Sequence, residues 1–186
     1  YSRNNIPLPS PGVGGPCLSK DPYLLTSNDK IKKFVEKNQS VILTSRTYNE
    51  SVPKHLVKKI IEKININKGK TKKIFVMGFA FKGEPETSDI RQSPTLDVVR
   101  ELKKDFQVFG HDPIVSKEDI KNTGAVSCSI KEGFENASCV IIMNNHRNYR
   151  SLDVLELLKT SSKPCLFVDC WRLYDKKIFL ETPDIG

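Results

Sequence analysis

From Lys73 onward short apolar runs alternate with amphipathic stretches, and that alternation restricts the fold more than any other property of the chain. The candidate strands are Lys73 to Met77, Gln107 to Phe109, Ala125 to Val126, Cys139 to Ile142 and Cys165 to Val168. Between them the spacing of apolar residues lengthens to that of helices near Ser93 to Lys104, Lys117 to Asn122, Ile130 to Glu135 and Leu152 to Lys159. Strands that read as continuous apolar runs are buried on both faces, and a helix between successive strands is the crossover that a parallel pair requires. The expectation is an α/β fold: a parallel sheet with helices on both faces. In such a sheet ligands gather at the carboxyl ends of the strands, where the strand order switches. The segment Phe79 to Ile90 leaves the first strand at that end, and Asp169-Cys170-Trp171-Arg172 leaves the last.

A helical segment comes first. From about Asn28 to Ile66 the apolar residues Ile31, Phe34, Val35, Val41, Ile42, Val52, Leu56, Val57, Ile60, Ile61 and Ile64 recur near a 3.6-residue period. Pro53 starts a new helix or kinks a long one, and Asn65 to Lys72, with Gly69 and several lysines, reads as a connector. The apolar face of this segment exceeds what one neighbouring domain covers. At 186 residues and 38% hydrophobic content the chain can bury a core. Its formal net charge of +8 would suit a polyanion. Its lysines, however, spread over helix faces and the connector without interleaved aromatics, so a solvated surface is expected rather than a nucleic-acid site. No apolar run reaches the length of a membrane span, and no signal peptide is recognisable. The cysteines Cys17, Cys128, Cys139, Cys165 and Cys170 include no CxxC pair, and no histidine cluster has metal-ligand spacing. Neither a disulfide framework nor a metal site is expected, and reduced thiols point to the cytoplasm. His55, His111 and His146 stand singly and read as structural.

The first 22 residues read as loop, with prolines at positions 7, 9, 11, 16 and 22. Within and beside that loop lies Gly12-Val13-Gly14-Gly15-Pro16-Cys17-Leu18-Ser19-Lys20-Asp21. Glycine lets a backbone approach a ligand closely or adopt φ > 0. A thiol four residues before a carboxylate, with a lysine beside it, brings together a nucleophile, a base and a cation. A proline-glycine turn holding one incidental cysteine is the plainer alternative.

A second segment bears on the choice. Lys73-Ile74-Phe75-Val76-Met77-Gly78-Phe79-Ala80-Phe81-Lys82-Gly83, followed by Asp89-Ile90-Arg91-Gln92-Ser93-Pro94, resembles the element that opens the C-terminal domain of the UDP-glucose/GDP-mannose dehydrogenases. The resemblance extends to the cysteine loop, Arg46-Thr47-Tyr48-Asn49-Glu50, Gly110-His111-Asp112-Pro113, Asn145-His146 and Val168-Asp169-Cys170-Trp171-Arg172. It implies residues 1–70 as a glycine-rich cysteine loop with central dimerisation helices. Residues 71–186 would form a Rossmann-like nucleotide-sugar (UDP) binding domain. Family members begin with a dinucleotide-binding domain marked G-x-G-x-x-G. These residues contain no such fingerprint, so the chain is expected to be the C-terminal part of a longer enzyme, most of whose NAD site lies in the missing domain.

The resemblance further implies oxidation of a UDP-sugar C6 alcohol through an aldehyde to the uronate, with two NAD used in sequence. Cys17 aligns with the nucleophile that holds the aldehyde as a thiohemiacetal and then a thioester. Asp21 aligns with a general base, or caps a helix beginning near Pro22. Lys20, which matches the UDP-glucose branch, contacts the cofactor and tunes the thiol, or is a surface lysine. Leu8, Pro9, Ser10, Pro11, Gly12, Val13 and Gly14 would wrap the nucleotide sugar, with Phe81 and Lys82 reaching it from the second domain. Arg91 would meet NAD, together with Cys17 and Lys20, or merely pair with Asp89. Relatives end the last strand Asp-Gly-Arg; here Trp171 takes the arginine's place and Arg172 follows, so either Arg172 binds substrate from a shifted backbone or it faces solvent. A homodimer through the central helices is implied. The alternative function is a stand-alone nucleotide-sugar binding or dimerisation module.

Overall fold

The computed structural model describes residues 10–37, 40–66 and 71–180. Three helices come first: α1 (Pro16–Thr26), α2 (Asp29–Lys37) and α3 (Val41–Ile66). The alternating part follows as β1 (Lys73–Met77), α4 (Pro94–Leu102), β2 (Gln107–His111), α5 (Lys117–Asn122), β3 (Val126–Ser127), α6 (Ile130–Phe134) and β4 (Cys139–Ile142). It ends with α7 (Arg147–Arg150), α8 (Val154–Lys159), β5 (Leu166–Asp169) and α9 (Lys177–Leu180). The five strands form one parallel sheet in the order β3-β2-β1-β4-β5. The chain therefore runs outward from β1 to β3, crosses back and continues from β4 to β5. The switch point lies between β1 and β4.

The sheet is covered on both faces. On one, Ile74, Val76 and Ile141 pack with Val98, Val99 and Leu102 of α4 and with Val57, Ile60 and Ile64 of α3. On the other, Phe75, Met77, Val140 and Ile142 pack with Phe134, Tyr149, Val154 and Leu158. Alternate residues of β1 thus enter opposite cores, which is why the strand is apolar from Ile74 to Met77. Each such side chain contributes about 1.5–3 kcal/mol by leaving water. Phe75 also meets Phe134 edge to face at 5.6 Å.

The expected limits of β1, β4 and α5 coincide with those observed, and most of the others shift by one or two residues. Strand β2 runs on to His111 because Gly110 and His111 pair with Val76 and Met77. Ser93 is not the first residue of α4 but its cap, its Oγ accepting from Thr95 N, and Asp153 likewise caps α8.

One expectation fails. Residues up to Pro22 were to be loop, yet α1 starts at Pro16 and carries Pro22 inside it. Proline suits the first turn of a helix, where its missing N–H costs nothing. Pro22 leaves the Leu18 carbonyl without its helical donor, and Arg46 Nη1 of α3 supplies one at 3.4 Å. Asp21 consequently lies mid-helix and caps nothing, which corrects that alternative. Pro53 does not divide α3, which is continuous across it.

Candidate active site

The chain leaves β1 under the control of a buried carboxylate at the end of β2. Asp112 Oδ2 accepts from Phe79 N at 2.7 Å and Ala80 N at 3.1 Å. Its Oδ1 accepts from Ile114 N and Val115 N at 2.9 and 3.0 Å. Four backbone donors compensate a charge that is otherwise costly to bury. The turn they fix delivers Phe81 and Lys82, both half-buried, to the carboxyl edge of the sheet. Lys82 Nζ lies 5.4 Å from the centroid of the Phe81 ring. The same loop folds back on itself, Phe81 N donating to Asp89 O at 3.1 Å. Arg91 grips both oxygens of Asp89, at 3.0 and 2.7 Å. These hydrogen bonds, side chain before backbone, hold the Asp89 carboxyl below the usual carboxylate range.

Phe81 is where the glycine loop before α1 meets the loop after β1. Gly15, at φ +99°, precedes α1, and a Cβ there would stand 3.2 Å from the Phe81 ring. Gly14 lies so close to the loop before α4 that a Cβ would come within 2.3 Å of Gln92 O. Gly15 N donates to that same carbonyl at 3.3 Å. From α3, Asn49 clasps Val13: its Oδ1 accepts from Val13 N at 2.8 Å and its Nδ2 donates to Val13 O at 3.0 Å. Arg46 adds a donor to Val13 O and pairs with Glu50. Glu50 in turn accepts from Tyr23 OH of α1.

The loop so held presents one face of α1. Cys17 is exposed in its first turn; Lys20 and Asp21 follow at i+3 and i+4, which places all three on the same side of the helix. Lys20 Nζ and Asp21 Oδ1 are 2.5 Å apart and both exposed. Lys20 is raised above its ordinary value, first by the hydrogen bond to Asp21 and last by the charge of Cys17. Arg91, raised chiefly by Asp89, also feels Cys17. The other cysteines differ: burial pushes Cys128 and Cys165 up to about 11, Cys170 to about 12 and Cys139 well above its usual value. They stay protonated at neutral pH.

Of the residues expected at the site, Cys17, Lys20, Asp21, Phe81, Lys82 and Arg91 come together around the docked glycine loop. Pro11 and Gly14 are buried in it, Gly12 is half-buried and Val13 exposed; Ser10 Oγ donates to Gly12 O at 2.9 Å. Leu8 and Pro9 lie outside the described residues. At the end of β5 it is Trp171 that reaches the neighbouring strand's exit, its indole N–H donating to Met143 O at 2.8 Å. Arg172 is exposed at φ 53° and lines a cavity of about 440 Å³ with Phe167, Asp169 and Tyr174. Asn49, Arg46, Gln92 and Asp112 are the supports that residue patterns alone did not assign. The nearest signal is the Arg46, Asn49, Glu50 spacing of one helix face.

These elements do not by themselves make a dinucleotide pocket. In such a pocket a helix starts straight after the first strand and its free amides meet the pyrophosphate. Here α4 starts only at Pro94, and the Phe79 and Ala80 amides are already bonded to Asp112.

The site is thus a parallel sheet whose switch-point loop is packed against a glycine-cysteine helix start. Residues 75–176 match the UDP binding domain of the UDP-glucose/GDP-mannose dehydrogenase family, and the chain belongs to that family. It is 30% identical to the UDP-N-acetyl-D-mannosamine dehydrogenase of Methanocaldococcus jannaschii over 186 residues, all of this chain and 37% of that protein. With the enzyme of the same name from Pyrococcus horikoshii it shares 33% over 157 residues, 82% of this chain and 34% of the relative. A solved structure of the UDP-N-acetyl-D-mannosamine dehydrogenase of P. horikoshii superimposes with a TM-score of 0.73 at 29% identity, covering 95% of this chain and 39% of that one. The chain thus spans little more than a third of the length of these relatives.

Proposed function

We propose that these residues are the substrate-binding and thiol-bearing part of an NAD-dependent UDP-sugar 6-dehydrogenase, with residues 1–70 as catalytic loop and dimerisation helices and 71–186 as the UDP-binding domain. The observation that carries this reading is the docking of Gly15 on Phe81, which sets the face bearing Cys17, Lys20 and Asp21 beside the Lys82 loop. Lys82 meets the diphosphate as a point charge. The Cys17 sulfur adds to the C6 aldehyde carbon, whose oxygen takes a proton, so the aldehyde is held rather than lost as a hydrate. Once that carbon has reached the thioester level, Asp21 activates the water that attacks it, and the carbon–sulfur bond breaks to free the uronate and the thiolate. NAD, the hydride acceptor in this reading, is bound mainly by residues outside this chain. A reducing cytoplasm suits thiols that are unpaired.

The experiment is a side-by-side assay of UDP-N-acetylmannosamine, UDP-glucose and GDP-mannose with NAD, using a protein that carries this chain together with its dinucleotide-binding domain. The names of the relatives favour UDP-N-acetylmannosamine, whereas Lys20 resembles the UDP-glucose branch. Reduction of NAD with a UDP-sugar is expected; no turnover of any of the three would overturn the reading.

Assembly follows from the helices. Leu24 and Leu25 of α1 and Val41, Ile42 and Tyr48 of α3 are exposed, Val41 by 79% and Leu24 by 59%. Apolar area of this kind favours burial against a second copy. Sedimentation is expected to find a homodimer at micromolar concentration, and a monomer alone at that concentration would contradict it.

A further inference from the structure

The turn after β4 holds a histidine that neither the thiol nor the phosphate contact accounts for. His146 is 2% exposed and caps α7, its Nδ1 accepting from Asn148 N at 3.2 Å. A ring nitrogen that accepts carries no hydrogen, so the proton of the neutral ring is on Nε2. That buried N–H has no well-aligned acceptor in the protein. Its near neighbour is the Glu86 carboxylate, Oε1 lying 3.3 Å away, although the angle is not that of a hydrogen bond. The other polar groups nearby are occupied. Tyr149 OH bonds to His111 O at 3.1 Å, and Asn144 Oδ1 takes the backbone N–H of His146 itself.

Glu86 belongs to the loop that carries Lys82, and two further contacts tie that loop to the same turn. Arg147 Nε lies 2.7 Å from Glu86 Oε1, and Gly83 N donates to Asn145 Oδ1 at 3.1 Å. The approach at Gly83 is so close that a Cβ would stand 2.1 Å from His146 N. Lys82 is therefore bracketed between the Asp112-held turn on one side and the His146 turn on the other.

We propose that His146 is a positioning residue: through Glu86 it latches the Lys82 loop onto the carboxyl end of β4, and so presents Lys82 to the phosphate already in place. Lifting the loop would part the Glu86 carboxylate from His146 and Arg147 and break the Gly83–Asn145 hydrogen bond, and the loss of these contacts together keeps the latch closed. Only the part of this inference that concerns phosphate rests on the function proposed above.

The test reads amide hydrogen exchange and UDP affinity in the chain, with Glu86→Ala, Glu86→Gln, His146→Leu and His146→Gln. Glu86→Ala and His146→Leu are each expected to speed exchange at the Gly83 amide about tenfold, the size of one partly exposed charge-assisted contact, while Phe75 and Val76 are unchanged. The double variant should be no faster than Glu86→Ala alone, because the carboxylate's removal already takes away the contact that His146→Leu removes, along with the Arg147 pair. His146→Gln, which keeps an N–H near the position of Nε2, should restore most of the protection. UDP affinity should fall by a similar factor in Glu86→Ala. Unchanged Gly83 exchange in Glu86→Ala, or additive effects in the double variant, would overturn the latch. The exposed Glu86 position decides the matter even if His146→Leu fails to fold. Wild-type chain that binds no UDP would refute the phosphate role of Lys82 and leave the exchange result to judge the latch alone.

Discussion

Replacing Cys17 by serine is expected to lower complete oxidation of the UDP-sugar by at least about a thousandfold, the usual scale for loss of a covalent nucleophile. Binding of the nucleotide sugar should stay close to wild type. The two quantities separate because, in the proposed function, the lost step is capture of the aldehyde carbon, whereas recognition is assigned to the glycine loop, Phe81 and Lys82. A serine hydroxyl fills the same exposed place in the first turn of α1 and disturbs no core contact, so folding should not confound the result. The remaining thiols cannot substitute. Cys128, Cys139, Cys165 and Cys170 are held protonated by burial, far above neutral pH. Steady-state turnover by the serine variant, in a protein that carries the dinucleotide-binding domain, is the measurement. A wild-type rate would end the assignment of Cys17.

What the residues disclosed and what they hid divide along a physical line. Strands β1 and β4 were legible to the residue because burial on both faces demands apolar runs, Ile74 to Met77 and Cys139 to Ile142, with polar residues before them to mark where they start. The ends of β2 and β5 were less so: Gly110 and Asp169 have no preference for strands, and only pairing with Val76 and Ile142 makes them part of the sheet. Helix α1 was hidden for a stronger reason. Two prolines in eleven residues argue against a helix locally, and the donor that makes Pro22 tolerable comes from Arg46, on another helix. At the site, the spacing of Cys17, Lys20 and Asp21 suggested a nucleophile, a base and a cation in one loop, and the structure sets the three on one side of a helix instead. Asp112 was not legible. In sequence a carboxylate that ends a strand looks the same whether it meets solvent or gathers four backbone N–H groups, and only the fold separates the two. The clasp of Asn49 on Val13 spans 36 positions and is hidden for the same reason.

Calorimetry on the chain by itself is expected to find UDP bound no more tightly than roughly 0.1 to 1 mM, about 4 to 5.5 kcal/mol. The limit follows from what these residues supply. Lys82 offers one point charge at the sheet edge, half-buried beside Phe81, and the glycine loop offers its backbone. In the proposed function the sugar is held largely by residues outside this chain. A contact led by phosphate charge near the surface should weaken as salt is raised, with a screening length of about 8 to 10 Å at ordinary ionic strength. Lys82→Ala should abolish the signal, since the loop's other cation, Arg91, is already paired with Asp89. NAD should show no comparable binding. The amides that would meet its pyrophosphate, Phe79 N and Ala80 N, already donate to Asp112, and releasing them would strand a buried carboxylate. Submicromolar NAD affinity in these 186 residues would mean that the domain after Lys72 is itself the dinucleotide binder, and that the turn held by Asp112 opens to admit it.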